Sequence, residues 1–342
     1  MKIVISSKHF LPTLGGSINY AVMLAEAFLR KGEEVIIMTR TPASKEPFDG
    51  CEVVRIPGVG RRFELAGWAD AILQVDASWS DVWPFLLRGV PWFPTVHCGK
   101  ILIEPTIKAR ISLLGLQIAY HLGQTIPVGD QVAKEWHIKG KPIHNPFDDQ
   151  IFFPPPAGSA RNIDLLFVGR IERSKGVFIL VEALKQIVPR LAAPLRFCIV
   201  GDGVDDDLLR KATADFGAGV HFEHTGRLSS VEVAERMRNS SILVFPTTPE
   251  WIEASPLTPL EALACGCRII AADNGGTREN IGPQGRLVAS GSVESLIEAL
   301  GDFLLMPEGV REEVELEKFL ATRHLDFVAE LYLQRLSKAV KN

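Results

Sequence analysis

Twice along this chain a short apolar run leads through a glycine-containing loop into an amphipathic helical stretch and then a second apolar run. That repeat limits the possible folds more than any other feature. Lys2 to Ser6 reads as a buried strand, and Ser17 to Leu29 carries apolar residues at helical spacing before Gly32 ends it. Val35 to Thr39 is the next strand. The order returns with a strand over Asp164 to Val168, a helix over Val177 to Val188 and a strand over Phe197 to Val200. A further strand, Ser241 to Phe245, leads into a helix near Glu261 to Cys265. Parallel strands cannot be joined by a tight hairpin, so a strand, crossover helix and strand predict a parallel sheet with helices on its faces. Two such sheets, an α/β class, are expected.

Between the two sets lie His144-Asn145-Pro146-Phe147-Asp148 and Pro154-Pro155-Pro156-Ala157-Gly158-Ser159, whose prolines continue neither a helix nor a central strand. The domain linker is placed there, and 342 residues suit two domains. Glu312 to Lys341 reads as one amphipathic helical stretch, carrying Val314, Leu316, Phe319, Leu320, Phe327, Val328, Leu331, Leu333 and Leu336. Gly60 to Pro94, rich in tryptophan and proline, gives no readable period.

Composition excludes several classes. A net charge of -4 provides no basic field for a nucleic acid backbone, so DNA and RNA are not expected partners. The longest apolar stretch, Ile111 to Leu122, is interrupted by Ser112, Gln117 and His121 and is too short to span a bilayer. Met1 to Ser6 lacks the pattern of a secretory leader, which points to the cytoplasm. Cys51, Cys98, Cys198, Cys265 and Cys267 are odd in number and show no Cys-x-x-Cys spacing, so neither zinc nor a disulfide framework is indicated. Arg61-Arg62-Phe63 and Lys108 to Leu122 could form a basic and apolar surface for a lipid-linked acceptor at the inner membrane face. Without a polybasic cluster, a solvated loop and a buried helix are the preferred reading of those letters.

Four loops carry residues suited to chemistry. Pro12-Thr13-Leu14-Gly15-Gly16-Ser17 brings two glycines to a helix amino terminus, where backbone amides can approach a phosphate or an acceptor. A tight turn with a positive φ at one glycine explains the same pair. The loop lacks a third glycine, and Met38-Thr39-Arg40 ends the second strand without an acidic residue, so a nicotinamide dehydrogenase is disfavoured. In Gly169-Arg170-Ile171-Glu172-Arg173-Ser174-Lys175-Gly176 three cations and one anion precede a helix. Cations there oppose the helix dipole, and a bound diphosphate would restore the balance, although a lysine such as Lys175 can simply be solvated.

Glu253 and Glu261 occupy the loop and the helix start that follow the strand Ser241 to Phe245. Thr258, Pro259 and Glu261 suit the cap, first and third helix positions, so a capping box accounts for Glu261 without a ligand. Glu253 has no such structural role. Two carboxylates beyond the carboxyl end of a parallel strand can accept charge-assisted hydrogen bonds from ribose and hexose hydroxyls. His97 follows a proline-interrupted apolar run and is either a satisfied core histidine or a cleft residue, while Gly201-Asp202-Gly203 is a turn that can border a nucleotide base.

In combination these pieces resemble the retaining glycosyltransferases of family four, which have the GT-B fold. The resemblance runs from Pro12 with Gly15-Gly16, through Gly169-Arg170 with Lys175-Gly176, Gly201-Asp202-Gly203 and Thr225-Gly226-Arg227, to Glu253 and Glu261. It implies two Rossmann-like domains facing an interdomain cleft: an acceptor-binding domain over 1–148, a sugar-nucleotide-binding domain over 157–318, and a closing helix over 319–342 packing back on the first. It further implies transfer of a hexose from a nucleotide-diphosphate sugar, UDP-glucose or a related UDP sugar, to a hydroxyl of a sugar or lipid-linked sugar acceptor, with retention. Polysaccharide or glycolipid assembly is the expected setting. Arg170 and Lys175 would grip the diphosphate, Glu253 the donor sugar and Glu261 the ribose, with His97 in the cleft near the sugar. Gly15, Gly16, Gly203, Arg227, Ala254, Ser255 and Leu257 would complete the donor site.

The resemblance implies no cofactor and no metal, because two cations and helix amides can stabilise the leaving diphosphate. Two departures stand out: members of the family carry Glu-Gly-Phe-Gly where this chain has Glu253-Ala254-Ser255-Pro256, and Pro256 has no amide hydrogen to donate. The half before the linker is also short for the family. A sugar-nucleotide epimerase on the same fold and a non-catalytic sugar-nucleotide-binding scaffold remain open alternatives.

Overall fold

The computed structural model describes residues 1–13, 15–42, 48–97, 107–305 and 313–341. Its chain divides into two compact units, Met1–Pro146 with Arg323–Asn342, and Phe147–Thr322.

Unit 1 holds a six-stranded sheet in the order β3-β2-β1-β4-β5-β6, made of β1 (Lys2–Ser7), β2 (Glu34–Thr39), β3 (Glu52–Arg55), β4 (Ala71–Val75), β5 (Trp92–Val96) and β6 (Ile126–Pro127). Every pair is parallel, with Ile3 opposite Val35 on one side and Ala71 on the other. Ile3, Val4 and Ile5 are buried in succession, as a strand covered on both faces requires. Pro94 lies inside β5 at a point where β6 has not begun to pair, an edge position that tolerates proline.

Unit 2 repeats the plan in the order β12-β11-β10-β7-β8-β9: β7 (Ile163–Val168), β8 (Leu195–Val200), β9 (Val220–His224), β10 (Ser240–Phe245), β11 (Arg268–Asp273) and β12 (Arg286–Ala289). Again every pair is parallel. In both units the strand order reverses beside the first strand, at β1/β4 and at β7/β10. Two apolar layers, one built around Leu165, Phe167 and Phe197 and the other around Leu166, Leu243 and Leu260, sandwich the second sheet.

Several expectations shift. Phe147 and Phe152 are buried in the core of unit 2, so that unit begins before the proline-rich segment rather than at 157. The terminal stretch is two helices, Glu313–Ala321 and Leu325–Val340, with a break between them. Leu316, Phe319 and Leu320 pack on unit 2, whereas Val328, Tyr332 and Leu336 are buried in unit 1. The unit boundary therefore falls at Arg323 rather than 319. There the last helix lies on the helix Gly16–Arg30, and Tyr332 meets the hydroxyl of Tyr20.

Gly60 to Pro94 contains helices over Val59–Trp68 and Trp79–Leu87 with β4 between them. Arg61 and Arg62 thus lie on a helix, not in a solvated loop. The helix Ile107–Leu122 is buried on one side only: Ala119 and Tyr120 are buried, whereas Leu114 and Leu122 are 58% and 70% exposed. Among the described residues no helix is long and apolar enough to cross a membrane. Among the described residues Cys51, Cys198, Cys265 and Cys267 form no disulfide, and Cys98 lies outside them.

Candidate functional site

At the centre of the unit 2 sheet, β7 and β10 are neighbours whose following helices lead to opposite sides, toward β8 and β11. Such a reversal opens a crevice beyond the carboxyl ends of the strands. The two loops meet there: the Thr248 amide and hydroxyl both donate to the Ser174 carbonyl, at 3.0 and 3.2 Å. Gly176 has a φ of +74°, and a Cβ on it would stand 1.8 Å from the Pro246 carbonyl oxygen. Only glycine allows this approach.

Contact between the loops brings Lys175 to Glu253. Nζ donates to Oε1 at 2.7 Å, the Thr247 hydroxyl donates to the same oxygen at 3.2 Å, and the two side chains keep only 14% and 11% of their exposure. The Trp251 ring supports the cations, with Lys175 4.7 Å and Arg170 5.3 Å from its centroid. Arg170 also pairs with Glu172, which accepts from the Ser174 hydroxyl. The third cation, Arg173, stacks on Phe178. Two carboxylates therefore already balance two of the three cations, and an anion is not required to relieve the helix terminus. The charges form a held array rather than an unpaired cluster.

Glu261 departs from its expected role. Pro256, with φ at -67°, caps the helix Leu257–Ala264 and Leu257 is its first residue, so Thr258, Pro259 and Glu261 sit two positions further in than a capping box would need. Pro259 is still in the first turn, where an amide would lack an intrahelical acceptor anyway. The Glu261 carboxyl makes no hydrogen bond or ion pair among the described residues, and burial pushes its pKa up to about 7. An unpartnered carboxyl in a poorly solvated position is costly to ionise and is the kind of group that a ligand hydroxyl satisfies.

The segment between the glutamates is pinned from behind. The Asn280 amide donates to the Ser255 hydroxyl and the Pro256 carbonyl, both at 2.9 Å, and the Gly276 amide donates to the Glu253 carbonyl at 2.7 Å. Ala254, Ser255 and Leu257 are buried in that pinned segment. A Cβ at Gly276 would stand 1.9 Å from the Ala254 carbonyl oxygen. Gly203 is likewise accounted for by packing, because its Cβ would meet the Ile171 carbonyl at 2.2 Å. Arg227 reaches the same turn through Asp202, at 3.1 Å.

In unit 1, Gly15 is extended at φ 166° and Gly16 has no positive φ, so the tight-turn explanation fails. A Cβ on Gly16 would meet nothing, and one on Gly15 only the tip of Ile18. The pair opens space at the start of the helix Gly16–Arg30, which no side chain caps. His97 follows β5, its amide donating to Asp76 Oδ1 at 3.0 Å and its ring lying 4.3 Å from that of Tyr20. Nε2 is hydrogen-bonded to the Thr95 hydroxyl at 2.9 Å, and that hydroxyl also lies 3.3 Å from the Gln74 carbonyl. Burial pushes the imidazole down to about 3 and the Asp76 carboxyl up to about 6. His97 is neutral at ordinary pH, and a hydrogen-bonding rather than a titrating residue.

Sequence reasoning missed Trp251, Thr247 and Asn280, and also Gly275-Gly276, although that second Gly-Gly pair, one residue beyond a strand, repeats the signal of Gly15-Gly16.

The glycosyl transferases group 1 family model matches residues 149–316. D-inositol 3-phosphate glycosyltransferase 1 of Catenulispora acidiphila is 26% identical over 335 residues, covering 80% of this chain and 78% of that protein. The 2-deoxystreptamine N-acetyl-D-glucosaminyltransferase of Streptomyces fradiae is 31% identical over 151 residues, a match to 43% of this chain but only 35% of that protein's length. Among solved structures, sucrose-phosphate synthase of Thermosynechococcus elongatus superposes with a TM-score of 0.76 at 20% identity, covering 98% of this chain and 99% of that one. The Anabaena HepE complex with UDP and glucose gives 0.74 at 17% identity, with 99% and 100% covered.

Proposed function

The chain belongs, through residues 149–316, to the glycosyl transferases group 1 family, and on that premise we propose that it moves a hexose from a nucleotide-diphosphate sugar to an acceptor hydroxyl with retention of anomeric configuration. UDP-glucose is the donor to test first. What supports the reading is the pairing of Lys175 with Glu253 at the β7/β10 reversal, where open α/β sheets bind nucleotides, with Arg170 on the same Trp251 ring and the unpartnered Glu261 on the helix that follows this loop.

In this reading Glu261 ionises as the donor binds, and its carboxylate accepts from two vicinal ribose hydroxyls. Each such bond favours the charged form, so binding pulls its pKa below the unliganded value. Arg170 and Lys175 face the diphosphate, where negative charge builds as the bond from the anomeric carbon to oxygen breaks. Fixed cations aimed at that charge lower the barrier with little reorganisation, and no divalent ion is needed. Glu253 holds the Lys175 ammonium in place, and its remaining oxygen is available to a sugar hydroxyl. The acceptor hydroxyl attacks from the face the diphosphate leaves and passes its proton to the departing phosphate oxygen, so the chain supplies no nucleophile of its own.

Incubating the protein with UDP-glucose, GDP-mannose and ADP-glucose and following nucleotide release tests the reading. One donor class should be turned over with EDTA present, and Arg170→Ala should slow that turnover by on the order of a hundredfold. Equal rates in wild type and Arg170→Ala would remove the assignment.

A further inference from the structure

Unit 1 carries a second charged cluster that the donor chemistry does not use, at the carboxyl ends of β1, β2 and β4. Arg40 directly follows β2, and the strand order sets β1 between it and β4. Its guanidinium reaches across that gap: Nε donates to both oxygens of Asp81, at 3.1 and 3.0 Å, and Nη2 donates to the hydroxyls of Ser78 and Ser80. Arg62 comes from the helix Val59–Trp68, donates to the Ser80 carbonyl at 2.6 Å and lies 3.6 Å from Asp81. Asp81 is only 6% exposed, whereas 38% of the Arg40 side chain stays open to solvent and its Nη1 has no partner among the described residues.

One arginine would neutralise Asp81. The second is surplus charge. Lys8 directly follows β1 and its carbonyl accepts from the Arg40 amide, while Asp76, after β4, turns its carboxylate to the His97 amide. Ser78, at the cap position of the helix Trp79–Leu87, does not cap it and is held by Arg40 and Ser80 instead. Thus a fixed guanidinium, two hydroxyls and net positive charge stand together at the β1/β4 reversal of a parallel sheet. In sheets of this order the residue that ends the second strand discriminates between ligands, an acidic one reading a ribose hydroxyl and an arginine accommodating a phosphate.

We propose that unit 1 binds a phosphate monoester at Arg40, Arg62 and Ser80, with Asp81 as the positioning residue that holds both guanidiniums toward it. The open Nη1 of Arg40 and the exposed Ser80 hydroxyl can each meet an oxygen of a terminal phosphate, whose negative charge matches the excess of two guanidiniums over the Asp81 carboxylate. As the anchor of the acceptor this inference rests on the transferase reading, but the binding itself does not. A soluble sugar phosphate and a lipid phosphate present the same chemistry.

Calorimetry on the full chain without donor, with glucose 6-phosphate against glucose, reads the binding directly. Vesicles of phosphatidylcholine, alone or doped with phosphatidic acid, read the lipid source by pelleting. Ser80 is exposed, so Ser80→Glu places a carboxylate in the site without disturbing the core, and Arg40→Gln is the complementary variant. Each should weaken the interaction by about tenfold or more while UDP-sugar binding stays at the wild-type level. Binding of glucose 6-phosphate without pelleting assigns a soluble ester, and pelleting that Ser80→Glu abolishes assigns a lipid phosphate. No preference for the phosphorylated probe in either arm, or binding unchanged in both variants, overturns the proposal. Loss of UDP-sugar binding with phosphate binding intact would instead overturn the donor site.

Discussion

Replacing Glu261 by glutamine should make the protein more stable in alkali while destroying its donor response. Folding moves this carboxyl from an ordinary carboxylate value of 4.5 to about 7, with burial as the cause. Because the folded value is the higher one, the penalty is absent below the unfolded value, grows as pH rises between the two and is complete above the folded value. Each pH unit of displacement corresponds to about 1.4 kcal/mol, so the full penalty is about 3 kcal/mol, and residual water contact brings the measured effect nearer ~2 kcal/mol. For a unit of this size ~1 kcal/mol moves the midpoint by about 2 to 4 °C. Glu261→Gln should therefore melt several degrees above wild type at pH 8 and nearly with it at pH 4.5. Differential scanning calorimetry in matched buffers reads both, with and without UDP-glucose. An equal difference at the two pH values, or a variant still stabilised by the nucleotide sugar, would refute the reasoning that this carboxyl is unpaired until a donor arrives.

Lys175→Met should cost about 3 kcal/mol in urea unfolding, since it strands the Glu253 carboxylate in a largely enclosed position, and Lys175→Met with Glu253→Gln should recover most of that loss without recovering turnover. His97, held neutral by burial, should show no imidazole titration by NMR between pH 5 and 8, and the activity profile should contain no inflection from it. Gly276→Ala should cost roughly 1 to 3 kcal/mol because its Cβ meets the Ala254 carbonyl, whereas Gly16→Ala, in open space, should leave the melting curve nearly unchanged and weaken ligand binding.

Fold class was legible because both sheets are parallel and doubly covered, so their strands are continuous apolar runs such as Ile3-Val4-Ile5 with glycine-marked loops between them. The span from Gly60 to Pro94 hid its structure because Pro84 sits inside the short helix Trp79–Leu87 and Pro94 inside β5, both positions that read as breaks. Arg170, Lys175 and Glu253 were visible as charges at strand ends. Their mutual pairing was not, because Lys175 and Glu253 are 78 residues apart and meet only through the β7/β10 reversal. Glu261 lies two helical positions further in than its sequence suggests, since a proline just before a helix and another in its first turn allow two starting points. Nothing in the sequence marks Trp251, and only the folded loop shows two cations above its ring.

The central claim is a nucleotide-sugar site built from Arg170, Lys175, Glu253 and Glu261. Its most direct test is a thermal-shift panel of UDP, GDP, ADP and their sugar conjugates against wild type and Arg170→Ala. A ligand at a hundred times its dissociation constant adds about 2.7 kcal/mol, enough to raise the midpoint by several degrees. The account predicts such a rise for one nucleotide family in wild type and its loss in the variant. No rise with any nucleotide at saturating concentration, or the same rise in both proteins, would contradict it.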